Sequence, residues 1–185
     1  MTDPNTAENP AARHARLAPV DTAADALFVY GTLRFDRILA ALLGRVPPGT
    51  PATAPGWRTA ALAGRPYPGL VPSAGHTAAG LLLTGLSGTE WRALDDFEDD
   101  AYELRRLAAE RGPAVGQGLP AADGRTANSL AAIGRIWTYV WTAPGEVAAE
   151  DWSADVFAAR RLAGYAARLE AAAAAARHRG GRPEH

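Results

Sequence analysis

The chain has 185 residues, 48% hydrophobic and 21% charged, with 19 basic against 20 acidic side chains and a formal charge of −1. That length suits one domain with a sizeable core, and a near-neutral chain whose basic residues are all arginine argues against nucleic-acid recognition through a broad cationic face. Cysteine is absent, which excludes disulfides and thiolate chemistry, and no apolar run approaches the ~20 residues of a membrane helix.

Residues 1–25 mix Ala, Pro, Asp, Asn and Thr without hydrophobic periodicity or an apolar signal segment. They read as a disordered leader that adds little to the core, and the default location is the cytoplasm. Leu27-Phe28-Val29-Tyr30, stopped by Gly31, is the pattern of a buried strand entering a turn. Phe35, Ile38, Leu39 and Leu42 then share one helical face, with Gly44, Pro47 and Pro48 as the stop. Prolines at 51, 55, 66, 68 and 72 predict a loop-rich stretch, with Trp57–Leu62 as an edge strand and Arg65–Pro72 as extended chain.

Gly80–Thr84 reads as a second buried strand. Ser87-Gly88-Thr89-Glu90 matches a capping box and predicts a short helix from about Gly88 to Glu98. Tyr102–Leu107 predicts a further strand, and residues 108–134 a long loop. Ile136–Trp141 alternates aromatic and smaller residues, so Trp137, Tyr139 and Trp141 share one strand face. A last helix from about Ser153 into the 170s places Val156, Ala159, Ala163, Ala166 and Leu169 together. The expected organisation is therefore a leader over 1–25, one domain over 26–170, and a helix end with a frayed tail over 171–185.

Two segments carry candidate chemistry. At Tyr30-Gly31-Thr32-Leu33 a strand turns through glycine into a helix, exposing backbone N–H groups that lack intrahelical partners. Such a junction suits a carboxylate or phosphate, although it serves equally as a plain turn. The second segment holds six carboxylates between Asp95 and Glu103, either a solvated acidic face or a hard-metal site. In a helical register Glu98 falls between Trp91 and Leu94, while Arg92, Asp95, Asp96 and Asp99 fall roughly on the opposite arc. A carboxylate on the apolar side is costly to ionise, which is how a general base is tuned. The histidines show no paired metal-ligand spacing, and the serines lack a nucleophile-elbow context.

With Leu27-Phe28-Val29-Tyr30-Gly31-Thr32-Leu33 and Leu94-Asp95-Asp96-Phe97-Glu98 in this order, the chain resembles the gamma-glutamylcyclotransferase-like family, in particular its plant avirulence-induced-protein branch. Tyr67–Pro72, Gly80–Leu82, Asp99–Tyr102, Tyr139–Trp141 and the Trp152–Leu169 helix extend the resemblance over about residues 27–169. Asp99 departs from it, since many members carry glycine after the glutamate. The resemblance implies an α+β fold, a small closed mixed β-barrel with peripheral helices. It further implies cofactor-independent release of 5-oxoproline from a small-molecule gamma-glutamyl compound, without metal, nucleic acid or membrane. Glu98 would move protons, and Tyr30, Gly31, Thr32, Leu33, Tyr102 and Tyr139 would bind the substrate. Deprotection of a gamma-glutamylated biosynthetic metabolite is the nearest alternative, and a non-catalytic binding module on the same scaffold is another. Neither the leaving amine nor the oligomeric state is legible.

Overall fold

The structure, a computed structural model, describes residues 14–111 and 133–180. After a 3₁₀ turn at His14–Leu17 come β1 (Ala26–Val29), a second 3₁₀ turn at Thr32–Arg34, α1 (Asp36–Leu43), β2 (Gly49–Leu62) and β3 (Gly69–Leu83). They are followed by α2 (Gly88–Phe97), β4 (Tyr102–Arg106), β5 (Glu110–Arg111), β6 (Ile136–Trp141), β7 (Val147–Asp151), α3 (Ala154–Arg160) and α4 (Leu162–Gly180). The strands form one mixed sheet in the order β4-β6-β1-β3-β2-β5, with β7 also on β2. β1 runs parallel to β6 and antiparallel to β3.

Closing a barrel requires the first and last strands to pair. Among the described residues β4 pairs with β6, and β5 and β7 pair with β2, so the sheet is open. The expected closed barrel is corrected to an open mixed sheet with helices packed on it.

Alternation along β1 explains the two cores. Leu27 and Val29 join the larger cluster with Ile38 and Leu39 of α1, Trp91 and Leu94 of α2, and Trp137, Tyr139 and Trp141 of β6. Phe28, on the opposite face of the sheet, packs with Tyr30, Ala54, Leu70, Ala78 and Leu82. Burying both faces is what makes β1 read as a continuous apolar run. Within β3, Gly80 lies where β1 comes too close for a side chain: a Cβ there would stand 2.5 Å from the Val29 carbonyl oxygen and 2.6 Å from the Phe28 ring. Gly80→Ala is expected to lower stability by roughly 1–3 kcal/mol through overpacking, read as a drop of several degrees in Tm.

The proline-rich stretch forms two long strands rather than loops, and the expected edge strand Trp57–Leu62 is covered at its Ala60–Leu62 end by β7. β2 is flanked by β3 along its length, and on its other side by β5 at Ala52 and Thr53 and by β7 at Ala60 and Leu62. Pro51 and Pro55 fall outside these doubly flanked stretches, so their missing N–H groups cost few ladder bonds. The pairing is interrupted where Gly56 alone faces residues 73–76 of β3. Gly56 has φ +80°, a conformation glycine adopts without steric cost.

Residues 14–25 belong to the folded unit, which corrects the reading of this part as a leader. Leu17 and Val20 pack against the larger core. Asp25 accepts hydrogen bonds from the Arg135 backbone N–H at 2.8 Å and from Trp137 Nε1 at 2.7 Å, fixing the entry into β1 against β6. The rest of the proposed leader, residues 1–13, lies outside the described residues, as do most of the 108–134 loop and the tail from 181. The expected last helix is two helices, broken at Arg161. Phe157 rather than Val156 is buried there, because it packs between Phe35, Trp152 and Tyr165.

Candidate functional site

β1 delivers Tyr30 and Gly31 to the 3₁₀ turn Thr32–Arg34, beside the point where α2 ends. Ser87 caps the start of α2 through the expected box: its Oγ accepts from the Glu90 N–H at 3.3 Å, and Glu90 Oε2 accepts from the Ser87 N–H at 2.8 Å. The helix terminates at Phe97. Glu98 is its C-cap, with extended backbone at φ −77° and ψ 138°, and its N–H donates to the Leu94 carbonyl. Asp99 closes the following turn by accepting from the Ala101 N–H at 3.0 Å.

These ends meet around a cavity of about 220 Å³. All seven residues singled out from the sequence line it: Tyr30, Gly31, Thr32 and Leu33 from the turn, Glu98 from the end of α2, Tyr102 from β4 and Tyr139 from β6. Tyr67, Asp99 and Tyr165 also line it, without having been singled out as site residues. Tyr67 lies in the Tyr67–Pro72 segment, where nothing local distinguishes its role. Asp99 lies beyond the end of α2, so a helical register does not describe where its side chain sits.

The tyrosines hold the cavity in shape. Tyr30 donates its hydroxyl to the Tyr139 carbonyl at 2.8 Å, Tyr102 donates to the Pro68 carbonyl at 2.5 Å, and Tyr139 donates to Asp95 Oδ1 at 2.7 Å. Burial raises the pKa of all three, so they remain protonated donors. At another side of the cavity Arg65 donates to Asp99 at 2.9 Å and pairs with Glu146, while the Tyr67 hydroxyl donates to Asp99 at 3.1 Å.

Asp95 departs from the sequence reading most sharply: expected on the solvent arc, it is fully buried. It follows the fully buried Trp91 by four residues, so it stacks one turn beyond it on nearly the same face. Arg16 from the N-terminal turn reaches this face and pairs with Asp95.

Glu98 is half-buried, its remaining surface facing the cavity. Burial pushes its carboxyl from the ordinary 4.5 up to about 8; Arg16 opposes the rise, and Asp95 and Asp99 add to it. Because the folded state holds this proton more tightly than the unfolded chain, the associated stability is fully present below pH 4.5 and lost as pH rises through about 8. Glu98→Gln removes that loss. Thermal melts across pH 4–9 are expected to show its Tm gaining on that of the wild type over this interval, then levelling.

The fold and this site define an α+β protein with a carboxyl-bearing cavity beside a glycine turn. Residues 27–154, more than half of the chain, match the family described as Gamma-glutamyl cyclotransferase, AIG2-like, and the chain belongs to that family. AIG2-like protein D of Arabidopsis thaliana is 37% identical over 81 residues, covering 44% of this chain and 53% of that protein. AIG2-like protein C of the same plant is 38% identical over 81 residues, covering 44% and 47%. The chain thus matches about half the length of these curated relatives. Two solution structures of Arabidopsis thaliana proteins share the fold. One has a TM-score of 0.54 at 21% identity, over 88% of this chain and 90% of the other. The second has a TM-score of 0.53 at 22% identity, over 90% and 99%. Among the described residues, no group of three or more His, Cys, Asp or Glu is placed to hold a metal ion, and no helix is long and apolar enough to cross a membrane.

Proposed function

We propose that this protein is a gamma-glutamyl cyclotransferase that releases 5-oxoproline from a gamma-glutamyl amine or peptide. The observation that carries the reading is the placement of Glu98, a carboxyl of raised pKa, in the same cavity as the Tyr30–Leu33 turn. Backbone N–H groups of that turn hold the substrate's α-carboxylate, since the first donors of a helical turn have no partner within it. The tyrosine wall, with its hydroxyls committed elsewhere, shapes the space for the glutamyl chain.

Ionised Glu98 removes a proton from the substrate α-ammonium. The freed amine attacks the γ-carbonyl carbon, and a new C–N bond closes the five-membered ring. Protonated Glu98 gives its proton to the departing nitrogen of the tetrahedral intermediate, the original amide C–N bond breaks, and the second proton of the ring nitrogen passes to the released amine, which leaves as an ammonium. Atoms and charge balance without a redox partner. A carboxyl near pH 8 is better matched to an ammonium than one of ordinary acidity, and ring closure gains from the high effective molarity of a positioned nucleophile.

Incubation with gamma-glutamyl amines, gamma-glutamyl dipeptides, glutathione and gamma-glutamylated metabolites, followed by mass spectrometry, is expected to yield 5-oxoproline from at least one. Release from none would reject the reading in favour of a binding module.

A further inference from the structure

Arg16 lies upstream of the family-matched segment 27–154, yet it reaches the wall of the cavity. Its Nε pairs with Asp95 Oδ1, Nη2 donates to the Asp95 carbonyl at 2.6 Å, and Nη1 donates to the Tyr102 carbonyl at 3.1 Å. The guanidinium also stands 5.3 Å from the centre of the Tyr139 ring, and Tyr139 donates its hydroxyl to the same Asp95 oxygen. One side chain therefore joins the last turn of α2, which Glu98 caps, to the two strands carrying Tyr102 and Tyr139. This planar fork serves several acceptors in fixed directions, a geometry that a lysine ammonium does not reproduce.

We propose that Arg16 is a positioning residue for Glu98: the N-terminal turn delivers a guanidinium that locks the end of α2 to β4 and β6 and sets a positive charge near the carboxyl. The proposal rests on Glu98 being the proton-transfer group.

The surroundings of Glu98 make that charge consequential. Tyr30 of β1, Tyr102 of β4, Tyr139 of β6, Tyr165 of α4 and Tyr67, between β2 and β3, line its cavity as neutral hydroxyls. Asp96 and Asp99 line it from the neighbouring positions, and Asp95 lies behind it. Arg65, on the far side of Asp99, is engaged by Asp99 and Glu146. Arg16 favours ionised Glu98, against the push of burial and of Asp95 and Asp99.

The test uses the full chain with ¹³C-labelled glutamate carboxyls, the Glu98 resonance being assigned by its loss in Glu98→Gln. NMR titration follows Glu98 without substrate, so it reads Arg16 whether or not 5-oxoproline is released. Arg16→Met and Arg16→Gln are expected to raise the Glu98 midpoint by about half a unit to one unit, as loss of a nearby opposite charge does. Arg16→Lys keeps the charge but not the fork, and should fall between these variants and wild type. Where activity is present, the acidic limb of the pH–rate profile should move with the midpoint. A lowered Tm with an unmoved midpoint would assign Arg16 a purely structural role and overturn the proposal. Should the neutral variants fail to fold, an unmoved midpoint in Arg16→Lys would overturn it as well.

Discussion

Glu98→Gln is expected to lower turnover at least ~100-fold, the low end of what a positioned acid–base group contributes, while leaving substrate binding in place. Glutamine keeps the shape and hydrogen-bonding capacity of the side chain but accepts no proton near neutral pH. The Tyr30–Leu33 turn is separate in sequence and is untouched by the change. Asp96→Asn supplies the control, because Asp96 lines the same cavity but is exposed at its edge. Its turnover should stay close to wild type, measured as kcat on the best substrate from the panel. Equal losses in both variants would point to the summed negative charge of the segment rather than to one carboxyl.

Gly31→Val is expected to weaken binding about tenfold or more, which corresponds to losing one or two charge-assisted hydrogen bonds from the turn. The cause is close approach. Gly31 has φ −110°, which other residues adopt, but a Cβ there would stand 2.8 Å from Pro68 Cγ and 3.0 Å from its Cδ. Pro68 itself lines the cavity, and its carbonyl accepts the Tyr102 hydroxyl. A valine therefore displaces the turn and its opposite wall together. Thr32→Ala should be milder, since the proposed contacts come from the backbone. Calorimetric titration of both variants, in a Glu98→Gln background to prevent turnover, checks this ordering.

Local signals were legible where a short segment states its own structure. The capping box at Ser87 and Glu90, the strand over Ile136–Trp141 and the turn at Gly31 appear as read. Tyr30, Gly31, Thr32, Leu33, Glu98 and Tyr102 lie at or next to strand and helix ends that carry local patterns, while Tyr139 stands within β6 and is marked by the alternation of that strand. What escaped depends on partners distant in the chain. Prolines at 51, 55 and 72 look like loop markers until the register pairs each across the β2–β3 ladder, with a second flanking strand recorded at none of them among the described residues. Asp95 looks solvated until Arg16, 79 residues upstream, covers it. The open edges of the sheet likewise depend on long-range pairing that no local pattern reports.

Running the reaction in H₂¹⁸O and weighing the five-carbon product tests the central claim most directly, because cyclisation and hydrolysis differ in what attacks the γ-carbonyl. Attack by the substrate's own α-amine yields 5-oxoproline with no incorporated ¹⁸O, and this product is expected from wild type and strongly reduced with Glu98→Gln. Glutamate carrying one ¹⁸O atom would show that water is the nucleophile and would contradict the account.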